Sequence, residues 1–382
     1  MSDKSSDNKD AVSYSKDDPY LLTPGPLTTS SSVKKAMLHD YGSRDERFIE
    51  LNGRICARLL EIAHAGETHV CVPLQGSGTF AVEAMLATMI PVEGKLLNLV
   101  NGAYGHRISE ICDYLGREYL VHESAENVAI DLASLEKTLV DDKHITHVSI
   151  VYCETTSGIL NPLEEIAEIV YKHGRALLVD AMSAFGALPV DARKLHFSAL
   201  AASSNKCLQG VPGMGFCLIN SHTLEQCKGN AKSLSLDLYE QALAFRKNGQ
   251  WRFTPPVHCM LALSQALLEL QEEGGVEGRL ERYQENCNVL KEGMRALGFR
   301  TYLADELQAP IIVTFITPSD NRFSFELFYR LIAEKGFLIY PGKITKADTF
   351  RIGCIGDLDA DLMRAAIQAI EASLSELGIS NS

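Results

Sequence analysis

Between Val70 and Ile219 the chain repeats one pattern: a short, almost wholly apolar run, then a longer stretch with apolar residues at helical spacing. The runs are VCVPL (70–74), LLNLV (96–100), HVSIVYC (147–153), RALLVDAM (175–182), ALAASS (199–204) and GFCLI (215–219). A strand with one wet face alternates polar and apolar residues, so runs this apolar mean strands covered on both faces. Strand–helix alternation makes most of their pairings parallel. FAVEAMLATMI (80–90) and PLEEIAEIVYKHG (162–174) read as two of the covering helices, the second closed by Gly174. The expected fold class is α/β, a large domain with a mostly parallel sheet flanked by helices.

After about residue 265 the pattern changes to two long amphipathic helices (261–273 and 276–297), a strand PIIVTFI (310–316), a helix (325–336), the short strands FLIY and FRIGCI, and a last helix (358–377). This reads as a smaller C-terminal α+β domain. A chain of 382 residues is long for a single core, which agrees with two bodies. The predicted division is a disordered polar tail (1–19), a lead-in segment with the large domain (20–265), and the small domain (266–382). In the lead-in segment Pro24, Gly25 and Pro26 enforce a turn before a helix that starts near Ser30 to Ser32.

A net charge of −13 opposes non-specific binding to nucleic acid or anionic lipid, so an anionic substrate needs a local positive site. The polar start of the chain shows no apolar signal region, and no stretch of about 18 uncharged apolar residues occurs. Ten cysteines are scattered without CxxC or metal-ligand spacing, so reduced thiols, no metal and a cytoplasmic setting are expected.

In open α/β sheets, ligands bind at the carboxyl ends of strands, and three features stand at such ends. Gln75-Gly76-Ser77-Gly78-Thr79 joins a buried strand to an apolar helix, offering free N–H groups, two hydroxyls and a positive helix end to an anion. Taken alone, a glycine pair before a helix is often an ordinary turn. Asp180 closes the run ALLVD, and a carboxylate there needs a cationic partner; a salt bridge or a helix cap would also serve. Lys206 follows the next strand, in SSNKCLQGVPGMG, with small residues before it and a Gly/Pro-rich loop after it. Most lysines are merely solvated. A lysine in such a cleft is instead desolvated into a nucleophilic amine. Pyridoxal 5′-phosphate (PLP) accounts for all three, since it takes a lysine, an acid at its pyridine nitrogen and a helix terminus for its phosphate.

The motifs LLTPGPLTTS, LQGSGTFAVEAML, VNGAYG, CETTSGILNP, VDAMSAFG, SSNKCLQGVPG, WRFTPP and FRIGCIG, spread over residues 20 to 356, give a further handle. Through them the chain resembles fold-type I PLP enzymes of the class-V (alanine–glyoxylate/serine–pyruvate) branch, and within it the subgroup acting on a phosphonate amine. That resemblance implies that Lys206 carries the cofactor and shuttles the proton, Asp180 pairs with the pyridine nitrogen, and Thr155 meets the phenolic oxygen. It further implies that Ser77, Gly78 and Thr79 hold the phosphate, Tyr104 stacks on the ring, and Met182 covers the opposite face. Thr254 would reach the cofactor of the neighbouring subunit in a homodimer, while Arg351 and Gly25 would bind substrate. The implied reaction passes the amine of 2-aminoethylphosphonate to PLP and then to pyruvate.

Two other enzyme readings keep the lysine. A serine– or alanine–glyoxylate aminotransferase changes the donor. A PLP lyase or cysteine desulfurase needs a mobile cysteine, for which Cys354 beside Arg351 is the one candidate, although a buried structural thiol is the simpler reading. A PLP-binding regulator needs a DNA-binding stretch, and none is visible. HDYGSRDERFIELN (39–52) reads as a solvated charged loop, with Arg44 or Arg47 as optional positive charge near the cleft.

Overall fold

In a computed structural model describing residues 18–340 and 345–379, the apolar runs stand side by side in one seven-stranded sheet. Its strands are β1 (His69–Gly76), β2 (Lys95–Val100), β3 (Glu118–Glu123), β4 (Ile145–Val151), β5 (Ala176–Asp180), β6 (Ala199–Ser203) and β7 (Gly213–Asn220). They lie in the order β1-β7-β6-β5-β4-β2-β3. Only β7 runs against its neighbours, β1 and β6. The cause is the connection: residues 204–212 are too few for the crossover of a dozen or more residues that a parallel return requires, so the chain turns straight back. That turn carries Lys206.

Alternate residues of each strand feed two cores, as a period of two requires. Leu97, Leu99, Leu177, Val179, Leu200 and Ala202 face one layer, which holds the helices Glu46–Ile62, Leu163–Lys172 and Val257–Glu272. Leu96, Leu178, Ala199 and Ala201 face the other, with the helices Gly78–Met89 and Ala103–Leu115. The edge strand β3 was not expected from the sequence. Its EYLVHE has only one sheet neighbour and no fully buried residue, so it shows no continuous apolar run.

A third core joins the antiparallel pair Ile312–Ile316 and Thr349–Gly353 to the helices Gly275–Ala296, Phe325–Glu334 and Ala360–Glu376. The lead-in segment, grouped by sequence with the large domain, supplies this body with a strand instead. Tyr20–Leu22 pairs in parallel with Phe337–Ile339, and Leu22 is fully buried in the third core. The boundary expected at 265–266 falls inside the helix Val257–Glu272, whose Leu267 and Leu270 still pack on the large core. The expected tail, Asp18 and Pro19 apart, lies outside the described residues. Residues 39–52 are also only partly loop: Asp45 caps the helix Glu46–Ile62, and Phe48 and Leu51 are buried. Arg47 folds back on Asp45 at 3.0 Å and over the Tyr41 ring, away from any cleft role the structure displays.

Candidate active site

The carboxyl ends of β1, β4, β5 and β6 meet around a cavity of about 380 Å³. Ser77, Gly78, Thr79, Tyr104, Thr155, Asp180, Met182 and Lys206 all line it. Its anion-binding end is the start of the helix Gly78–Met89, where Ser77 occupies the cap position without a side-chain capping bond, leaving the first N–H groups open to the cavity. Glycine at 78 lets the helix start close against Met182. A Cβ there would lie 2.4 Å from the Met182 sulfur, so the backbone and Met182 close on each other.

Asp180 ends β5 and is 6% exposed. One carboxylate oxygen accepts from the Met182 N–H at 2.9 Å, and among the described residues no Lys, Arg or His forms an ion pair with it. Burial pushes this acid up to about 6, against the modest opposing effect of the Met182 N–H. A buried acid held without a cation is expensive, and a protonated ring nitrogen is the kind of partner that would relieve it. Lys206 is half-buried, and burial pulls its amine down to about 8. Its Nζ donates to the Pro24 and Gly25 carbonyls at 2.8 and 3.3 Å. Gly25 therefore touches Lys206 directly, and a Cβ on it would stand 2.7 Å from the lysine Cδ.

Three groups that sequence reasoning passed over support this arrangement. Glu154, fully buried, accepts from the Tyr104 and Gly105 N–H groups at 3.1 Å each and from the Thr156 N–H and hydroxyl at 3.0 and 2.6 Å. It caps the helix Ala103–Leu115 and so fixes Tyr104 beside Thr155 on the cavity wall. Its place just past the end of β4 was the available signal. Arg107, one helical turn beyond Tyr104, lines the cavity with its guanidinium 4.8 Å from the Tyr104 ring and 3.5 Å from the Thr79 hydroxyl. Asn205 lines the wall next to Lys206.

The remaining expected residues stand apart from the cavity wall. Arg351 is 1% exposed, donates to the Thr155 carbonyl at 2.8 Å and lies 4.5 Å over the Tyr340 ring. Its charge reaches the Lys206 amine. Thr254 is exposed and lines a separate crevice with Phe80, Trp251 and Phe253. Cys354 is fully buried in the third core and burial raises its thiol well above the ordinary range, which removes the mobile cysteine a desulfurase needs.

The class-V aminotransferase family matches residues 77–347, and the chain belongs to that family. The cofactor of the class is PLP, and the open helix end, the unpaired acid and the desolvated amine fit it. Relatives named 2-aminoethylphosphonate–pyruvate transaminase are 52% identical over 362 residues in Pseudomonas fluorescens, covering 95% of this chain and 98% of the relative. In Pseudomonas aeruginosa one is 53% identical over 361 residues, covering 94% and 97%. Among solved structures, the pyridoxamine–pyruvate aminotransferase of Mesorhizobium loti overlays with a TM-score of 0.86 at 23% identity, covering 95% of this chain and 94% of the other. The alanine–glyoxylate aminotransferase of a Nostoc species gives 0.85 at 23%, covering 98% and 100%. These overlays carry the fold, the fold-type I arrangement.

Proposed function

We propose that this chain transfers the amino group of 2-aminoethylphosphonate to pyruvate, giving phosphonoacetaldehyde and alanine in two half-reactions at one site. The reading rests on one observation above all: a desolvated amine, Lys206, and a buried acid, Asp180, that among the described residues has no ion-pair partner face the same cavity beside an open helix N-terminus. The donor comes from the relatives at about half identity over nearly the full length.

Bound PLP supplies an electron sink for the pair left when the substrate α-proton departs. Asp180 would keep the ring nitrogen protonated, the two charges offsetting each other's cost of burial. Ser77, Gly78 and Thr79 hold the phosphate at the helix end. Thr155 would orient the phenolic oxygen, Tyr104 and Met182 would hold the ring between them, and Lys206 would anchor the cofactor and move the substrate proton. Arg351 takes the phosphonate of the donor or the carboxylate of pyruvate by charge-assisted hydrogen bonds, with Gly25 leaving room beside Lys206. Thr254 acts on the cofactor of a second subunit, so the working unit is a homodimer. We place the enzyme in the cytoplasm on the strength of its ten cysteines, all with free thiols. Among the described residues no helix is long and apolar enough to cross a membrane.

Mixing the purified protein with 2-aminoethylphosphonate converts the visible absorption band of Lys206-linked cofactor to that of its aminated form, and β-alanine and serine leave it largely unchanged. Conversion by serine alone would transfer the assignment to the serine–glyoxylate reading. Borohydride reduction followed by peptide mass mapping finds the cofactor on Lys206, and a label elsewhere would end the proposal.

A further inference from the structure

Lys206 sits in a tight turn that side chains from the helix Gly275–Ala296 hold in place. Within the turn, the Gln209 N–H donates to the Lys206 carbonyl and the Gly210 N–H to the Ser204 carbonyl, both at 2.8 Å. Gln209 adopts a φ of 61°, a left-handed conformation that side-chain-bearing residues rarely take. Its amide nitrogen then donates to the Tyr283 hydroxyl at 2.6 Å and to the Gly356 carbonyl at 2.7 Å. The carbonyl of Cys207, next to Lys206, accepts from Arg279 Nη1 at 2.7 Å. Arg279 is 1% exposed, and Glu273 holds its Nε at 2.7 Å. Arg279 and Tyr283 are four residues apart on one face of the helix Gly275–Ala296; Tyr283 packs in the large core, and the later Cys287, Leu290 and Met294 lie in the third.

We infer that Arg279, Gln209 and Tyr283 form a strut that sets where the Lys206 amine stands in the cavity, which makes them positioning residues for the transamination. The inference rests on the reading that Lys206 carries the cofactor. A buried guanidinium is retained at high cost unless all its donors are used, and one of them is spent on the backbone directly after Lys206. Space around the lysine is also tight, because its Cδ and Nζ lie against Gly25 and its amine bridges two carbonyls of the lead-in segment. A displacement of about 1 Å at a reacting group lowers rates by roughly a hundredfold. The helix that carries Arg279 and Tyr283 is therefore tied to the amine through the turn.

The test uses the full chain with three substitutions. Gln209→Gly keeps the left-handed turn without strain while deleting both side-chain bonds, so folding is preserved as the tie is cut. Tyr283→Phe removes one hydroxyl, and Arg279→Lys keeps the charge but not the fork that reaches Cys207 and Glu273 together. Asp180, Cys153, Cys207 and Arg351, the charged and titratable groups around the amine, stay in place in all three. The first readout needs no cofactor: the pH dependence of Lys206 labelling by an amine reagent, followed by peptide mass spectrometry. Gln209→Gly moves the labelling midpoint by roughly half a pH unit or more and lowers kcat roughly tenfold, with KM for both substrates within about twofold. Arg279→Lys recovers only part of the wild-type behaviour. The strut is refuted if Gln209→Gly and Tyr283→Phe label and turn over like wild type, or lose only thermal stability, while borohydride still traps the cofactor on wild-type Lys206. Failure to trap it there refutes the function reading, and with it the strut.

Discussion

Burial drives Asp180 and Lys206 toward their neutral forms from opposite directions, the acid up to about 6 and the amine down to about 8. The lysine gains directly: at pH 7 a far larger share of it is the free amine than in an ordinary lysine. For Asp180 the sign runs the other way in the cofactor-free protein. An acid whose folded-state pKa is raised contributes most to stability below its ordinary value of 3.8, and that contribution is lost as pH rises through about 6. Asp180→Asn therefore melts with wild type at pH 4 but above it at pH 8, by roughly 2 to 3 °C for a relief on the order of 2 kcal/mol. The same variant loses kcat by roughly a hundredfold or more, because a preorganised charge at the ring nitrogen is gone. Scanning calorimetry at the two pH values and steady-state rates check both halves, and a cofactor-free variant no more stable than wild type at pH 8 contradicts the account. Arg351→Ala raises KM for 2-aminoethylphosphonate and pyruvate together by roughly tenfold to a hundredfold, as expected when a charged hydrogen bond is removed. An unchanged KM for both removes Arg351 from the binding site. Asp180 and Lys206 were legible in the sequence because each closes or follows an apolar strand. Glu154 follows a strand equally closely but stands in a run of hydroxyl residues, and its importance comes from the helix it caps, which only the fold brings to it.

At the level of elements, the site depends on how nearly the helix Gly78–Met89 approaches the end of β5. A methyl group at position 78 overlaps the Met182 side chain, which lines the cavity and must shift to admit it. Gly78→Ala accordingly weakens PLP binding by roughly tenfold, the scale of 1–3 kcal/mol that overpacking costs. Fluorescence titration of the cofactor-free protein measures this, and wild-type affinity would show that Met182 yields elsewhere. The doubly covered strands and the long C-terminal helices were readable because their patterns are continuous. Elements held by tertiary context were not: β3 is an edge strand with no buried residue, Tyr20–Leu22 is a three-residue strand defined by its pairing with Phe337–Ile339, and the helix Glu46–Ile62 begins inside a charged stretch. The antiparallel sense of β7 follows from loop length, yet the apolar run GFCLI carries no mark of direction.

For the whole molecule, the two flanking cores hold the sheet while the third body reaches the cavity edge through Arg351 and the lead-in segment. One expected residue remains outside this unit. Thr254 lines an exposed crevice with Phe80 and Phe253, which are 49% and 45% exposed, on the flank of the helix whose first residues line the cavity. Exposed aromatic side chains in that setting suit burial against a second copy, and a two-fold pairing would give each subunit one residue to lend and one site to receive it. Complementation separates this from a merely local role. Lys206→Ala is inactive in its own site but keeps Thr254; Thr254→Glu keeps Lys206 but brings a negative charge against its neighbour's phosphate. Each homodimer is then inactive. After subunit exchange in an equal mixture, half the dimers are mixed and each has one site with both native residues, so activity returns to about a quarter of wild type. If Thr254 instead served its own chain, every site in the mixture would carry a defect and no activity would return.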